Sequence, residues 1–165
     1  MAGLGHLGFG FAAKPFAPNV HLAVLLIASE LTDILWVIFY FTGIDRGSIG
    51  MNSSPWSHSF IMSVIWSVIA GLLTTRMYHN HRSGFVIGLL VFSHWIVDFI
   101  THPMGAIFGN KPLPPDLPIF FNGSPLVGLG LYNHTFTIAI AADLIMLFAG
   151  FTVYIIYKIQ HSKHT

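Results

Sequence analysis

Six acids, ten histidines and no cysteines make up the chemical inventory of this 165-residue chain. Four of the acids, Glu30, Asp33, Asp98 and Asp143, fall inside long apolar stretches, and none of the seven Lys and Arg residues does. An ionised carboxylate in hydrocarbon is costly unless it is paired. With no base in the same stretches, these acids must be protonated, hydrated, hydrogen-bonded to histidine or bound to a cation. One or two neutral carboxyls can simply join helices through hydrogen bonds; four together point to a site. Histidine supplies the missing partner. His94 and Asp98 are four apart, so on a helix they share a face, and His102 continues that face if the helix reaches so far. Two ligands at i and i+4 can grip one metal ion. Glu30 and Asp33, three apart, share a face in the same way. Without cysteine there are no thiolate ligands and no disulfides. His79, His81, His161 and His164 read as solvated residues, and His21 as interfacial.

The elements that must carry these residues are apolar. Hydrophobic residues make up 54% of the chain and charged residues 8%, and mean hydropathy is +0.71. A soluble domain usually carries about 25% charged residues, and so short a chain cannot hide this much apolar surface in a water-soluble core. A net charge of +1 with no basic run excludes a nucleic-acid partner on the usual electrostatic grounds. A membrane helix needs about 20 mostly apolar residues, and four segments qualify: 21–42, 58–75, 84–100 and 135–157. The expected fold is an all-α integral membrane protein, one transmembrane domain over 1–165, with about four transmembrane helices. A short, glycine-rich N-terminal segment adds an interfacial or re-entrant helix, broken from the first span by Pro15 and Pro18. The start of the chain lacks the features of a cleaved signal peptide, so the first helix is expected to be retained. The longest connection, 101–133, carries six prolines, and a loop of that length is usually functional or a lid.

Basic residues favour the cytoplasmic side. Lys14, Arg76, Arg82, Lys158 and Lys163 place both termini inside and the loops 43–57 and 101–133 outside. Under that topology Asp33, His58, Asp98, His102 and His134 lie in the outer half of the spans, on four helices. Glu30, His94 and Asp143 lie nearer the midplane. Asp143 is nine residues from His134, on the opposite face of a regular helix, and so ranks below the others. Spacing and shared depth therefore predict that His58, His94 and Asp98 bind a divalent metal near the outer face.

Four motifs occur in order: His6-Leu7-Gly8-Phe9-Gly10, Ser29-Glu30-Leu31-Thr32-Asp33, Trp56-Ser57-His58-Ser59, and Ser93-His94-Trp95-Ile96-Val97-Asp98-Phe99-Ile100-Thr101-His102. Over residues 1–105 this pattern resembles the YdjM-like predicted membrane-bound metal-dependent hydrolases of the bacterial inner membrane. It departs from that family where the acid motif lacks its usual proline and second aspartate, and where Ser54-Pro55-Trp56 replaces a His-Arg pair. The resemblance implies His6, Asp33, His58, His94 and Asp98 as metal ligands; His6 fits only if the first segment re-enters the membrane. It leaves Glu30 free as the candidate catalytic general base.

His and carboxylate ligands suit zinc above all, and also manganese or iron. The function that follows is metal-dependent hydrolysis of a lipid or other amphiphile from the outer side, with Arg46 or Lys111 binding its phosphate. Two rivals use the same residues. One is a proton or metal-ion transporter. The other is a non-catalytic subunit of a larger membrane complex, whose metal site is structural or vestigial; the expected partners are membrane lipids and either partner membrane subunits or further copies of the chain in a homo-oligomer.

Overall fold

The computed structural model describes residues 3–45, 54–109, 112–121 and 123–162. Its described residues are mostly helical. The first apolar stretch, expected as one helix over 21–42, is broken. It forms α2 (Leu22–Ser29) and α3 (Leu31–Thr42), which meet at Glu30 with a bend of 60°. No Pro or Gly sits at the break, so the sequence carries no local signal for it. Glu30 itself leaves helical geometry, with φ −104° and ψ 6°.

The second stretch is also divided. Pro55 opens the one-turn helix α4 (Pro55–His58), and Ser59 is extended, with ψ 151°. Ser59 then caps α5 (Phe60–Tyr78), its hydroxyl oxygen accepting from the Met62 N–H at 3.3 Å. His58 thus ends a separate turn instead of opening a helix over 58–75. The third helix, α6 (His81–Thr101), starts three residues before the expected 84, because the Asn80 side chain accepts from the Ser83 N–H at 3.0 Å and caps it. The helix expected over 135–157 is α8 (Phe136–Ser162), 27 residues long. Helices α5, α6 and α8 are long and apolar enough to cross a membrane, and the bent pair α2–α3 makes a fourth span if counted as one.

Helix α6 is the centre of the bundle: 44% of its apolar window is buried, against 17% for α5 and for α8. It packs on α5 through small residues. A Cβ on Gly84 would overlap the Thr75 side chain, and Ser67 donates to the Gly88 carbonyl at 2.7 Å. The N-terminal helix α1 (Leu4–Ala12) has nine residues, too few to cross a bilayer, and it packs against α8 and α2 with Gly5, His6, Gly8 and Gly10 buried. It runs alongside α8 in the same direction: Gly5 meets Asp143, and Phe11 meets Phe151 and Tyr154. Gly8 and Gly150 bring the two backbones into contact, since a Cβ on either would strike the other helix. Ala13, Ala17, Val20, Leu25, Ala28, Ile87, Leu90 and Val91 form the core between the end of α1, α2 and α6.

The long connection folds back over the C-terminal end of α6. It contains α7 (Gly105–Phe108) and a two-residue antiparallel pairing, β1 (Leu117–Pro118) with β2 (Leu126–Val127), a small addition to the all-α expectation. The N–H of Leu129 donates to the Phe99 carbonyl and that of Gly130 to the His102 carbonyl, both at 2.7 Å. Gly128 has φ +153° and lies so close to the His102 carbonyl that a Cβ would overlap it. Asn133 clamps the loop by bonding both the N–H and the carbonyl of Leu113, at 2.8 and 2.9 Å.

Candidate metal centre

Breaks in the helices aim the side chains at one point. The bend at Glu30 interrupts the backbone ladder and frees the Ser29 carbonyl, which accepts from His94 Nδ1 at 2.8 Å. That bond fixes the tautomer of His94 and leaves the Nε2 lone pair facing the centre. The turn at Ser57–His58 does the same for a second ring. The Ser57 hydroxyl lies 2.9 Å from His58 Nδ1 and can donate to the Ser54 carbonyl at 3.3 Å. It is therefore free to accept from Nδ1–H, and His58 presents Nε2. Insertion of α1 brings His6 in, its ring stacked on His94 with centroids 3.8 Å apart.

Three Nε2 atoms and two carboxylates meet. His58 Nε2 is 3.0 Å from Asp33 Oδ1 and 3.7 Å from Asp98 Oδ2. His94 Nε2 is 3.6 Å from Asp33 Oδ1 and 3.4 Å from Asp98 Oδ2, and His6 Nε2 is 3.3 Å from Asp98 Oδ1. Ligand atoms about 3.3 Å apart are what a tetrahedron with bonds of about 2.0–2.1 Å requires. Two trios, His6–His94–Asp98 and Asp33–His58–His94, each have ligand atoms within 4.8 Å of one another and could hold a metal ion. They share His94, so five residues converge on one volume.

Two further observations fit a cation. His94 Nε2 and Asp98 Oδ2 are buried and make no hydrogen bond among the described residues. Every ion pair among the described residues joins a histidine to an aspartate, and none of the described Lys and Arg residues pairs with the cluster. Two carboxylates and three neutral imidazoles carry a charge that one dication cancels, which removes the penalty of burying them. The Asp33 side chain is 37% exposed, whereas those of His58, His94 and Asp98 are nearly closed off. The cluster opens past Asp33.

The remaining expected residues divide. Glu30 sits at the break, three residues before Asp33, with Oε1 buried and without a hydrogen-bond partner among the described residues; it belongs to neither trio. His102 is buried one turn after Asp98, its Nδ1 3.2 Å from Asp116. Asp143, ranked low because it faces away from His134, is the member of that pair inside the bundle: it is buried beside Gly5 and accepts from the Tyr132 hydroxyl at 2.5 Å. His134 is exposed ahead of α8 and does not join the cluster. Arg46 and Lys111, the candidate phosphate ligands, lie outside the described residues.

Some partners had no signal in the sequence. The Ser29 carbonyl appears only through the helix break. Asp116 and Tyr132 sit in the proline-rich connection, far in sequence from His102 and Asp143. Asp45, just past α3, is buried near His58, and burial pushes its pKa up. No family model, no curated protein and no solved structure matches this chain.

Proposed function

We propose that this chain is an integral membrane protein whose His6, Asp33, His58, His94 and Asp98 bind a divalent metal, zinc being the best fit, and that it hydrolyses a lipid or similar amphiphile. The observation that carries this reading is the convergence of three Nε2 atoms and two carboxylates at 3.0–3.7 Å, with no Lys or Arg among the described residues paired to them. Membrane insertion is supported by a surface bearing Phe41, Leu72, Met77, Phe85 and Ile145, each at least 66% exposed. The resemblance to the YdjM-like hydrolases points the same way.

A divalent cation in such a set supplies Lewis-acid chemistry, acidifying water and polarising an ester or phosphoester oxygen. Glu30 accepts the proton of the attacking water. Its unpartnered Oε1 and its place outside both trios suit a base better than a ligand. The opening past Asp33 admits the substrate. Clustering of the buried acids at one end of the bundle favours a hydrolase over a transporter, because a relay needs polar groups through both halves. The test is elemental analysis of the purified full chain after growth with zinc. About one ion per chain is expected, with near-complete loss in His94→Ala. A wild-type content below about one tenth of an ion per chain would overturn the assignment.

A further inference from the structure

Acids and bases occupy opposite ends of this bundle. Asp33 and Asp98 are in the metal centre, and Glu30 and Asp143 lie against Gly3 and Gly5 beside it. Asp45 lies near His58, and Asp116 bonds His102. The described bases lie at the other end. Arg82 is in the first turn of α6 and Asp98 in its last, about 24 Å apart at about 1.5 Å per residue. Asp143 and Lys158 are spaced almost as widely along α8. Arg76, His79 and His81 join Arg82 at the turn from α5 to α6, all four exposed. None of the described Lys and Arg residues makes an ion pair with a described acid. Lys14 is committed to the Pro18 and Val20 carbonyls, at 2.8 and 2.7 Å.

A groove begins at this basic end. Its volume is about 470 Å³, within the range of ligand sites. It lies between the C-terminal end of α1 and one stripe of α6. The stripe is Arg82, Phe85, Leu89 and Ser93, at the three- and four-residue spacing of a single helix face. Phe16, just past α1, lines it from the other side. Phe16, Phe85 and Leu89 are exposed, whereas Ala13 and Leu90 are buried and form the floor. The groove is therefore open along its side and apolar to its base. Ser93 ends it, and the Ser93 hydroxyl donates to the Leu90 carbonyl at 2.7 Å, so its proton is already spent. Arg82 is the one charged residue among those lining the groove, and its guanidinium has no ion-pair partner among the described residues.

We propose that this groove holds an acyl chain of an anionic phospholipid, with Arg82 on its phosphate, as a resident ligand separate from the substrate of the metal centre. This rests on the membrane reading above and not on the metal or the hydrolysis. From Arg82 to Ser93 the slot runs about 16 Å along α6, at about 1.5 Å per residue. An apolar slot with a free guanidinium at one end and no free donor at the other matches a hydrocarbon chain with an anionic head. Guanidinium and phosphate pair through two parallel hydrogen bonds. The neighbouring bases repel a choline head and attract one with net negative charge. Anionic lipids are concentrated in the cytoplasmic leaflet, the side that basic residues favour. A head on Arg82 is too far from Asp98 to meet the metal centre. A chain seated in the groove fills the gap between α1 and α6, and so braces the helix that carries His6.

The test places the full chain in nanodiscs holding equal amounts of phosphatidylglycerol and phosphatidylcholine with the same acyl chains. Native mass spectrometry then counts the lipid that stays bound. Phosphatidylglycerol should be retained about fivefold over phosphatidylcholine, the ratio that about 1 kcal/mol from one base at the surface gives. Arg82→Gln, an exposed change that leaves the packing intact, should erase that preference. Arg76→Gln, in the same basic region but outside the groove, should leave most of it. Ala12→Phe puts a ring into the groove lining and should lose both lipids. Equal effects of the two arginine variants would reduce the preference to diffuse surface charge and overturn the site. Release of the lipid by excess inorganic phosphate would show an anion site with no chain in the groove, and would overturn it as well. So would retention at the wild-type level in both Arg82→Gln and Ala12→Phe, with the membrane reading left intact. A full chain that stays soluble without detergent or lipid would overturn the membrane reading, and this proposal with it.

Discussion

Glu30 and Asp98 are both acids in an apolar bundle, and their surroundings give them different work. Asp98 lies within 3.3–3.7 Å of three imidazole nitrogens; removing its charge leaves those rings without the anion that completes the set. Glu30 has no such contacts, and its Oε1 is unpartnered. Asp98→Asn should therefore lose the metal, whereas Glu30→Gln should retain it and lose turnover by about 10²–10⁴-fold, the usual contribution of a general base. Metal content and rate measured on the same preparations separate the two. Equal metal loss in both variants would make Glu30 a ligand. Hydrogen bonding also fixes the ring orientations, since His94 depends on the Ser29 carbonyl and His58 on the Ser57 hydroxyl. Ser57→Ala should weaken metal binding by about 10–100-fold, as losses of such supporting contacts do, and competition with a chelator measures it.

At the scale of elements, the site is built from interruptions. Helix α2 stops at Ser29, whose carbonyl holds His94; α4 stops at His58, itself in the cluster; and α6 stops at Thr101, one residue before the buried His102. A straight helix would have used the Ser29 carbonyl internally and carried His58 round with α5. Helix α1 is the other device. It reaches the centre only because Gly8 and Gly150 let its backbone touch α8. Gly150→Leu should push α1 outward and withdraw His6, with an overpacking cost of about 1–3 kcal/mol. The expected result is a fall in metal content and in thermal midpoint, with α5 and α6 unaffected. Metal content and midpoint both at the wild-type value would show that His6 is dispensable and α1 loosely held.

For the whole molecule, the acids gather at one end of a bundle whose outside is apolar. Gly3 lies beside Glu30 and Asp33, at the depth of Asp143, while Ser162 closes α8 about 28 Å further on at about 1.5 Å per residue. The beginning of the described chain therefore lies at the level of the site and not at the far face. In a bilayer, with basic residues inward, the proline-rich connection should be outside and Ser162 inside. Cysteines at Pro114 and Ser162 test this with an impermeant thiol reagent: the first should react in intact cells and the second only after permeabilisation. The reverse would turn the site towards the cytoplasm.

Composition alone determined the apolar helices, because hydropathy over some twenty residues is a local sum that tertiary context hardly alters. Spacing alone placed His94 and Asp98 on one face, because helical periodicity is equally local. The absence of any base among the spans made the acids stand out before any coordinates. Tertiary structure decided the rest. The bend at Glu30 has no Pro or Gly to announce it, and the carbonyl it frees is taken by His94 from another helix. Asp143 and His134 changed places in rank because the loop brings Tyr132 to Asp143 and leaves His134 outside. Asp116 reaches His102 across 14 residues of irregular chain. Such partners depend on the path of a loop closed by its own hydrogen bonds, and no periodicity encodes that path.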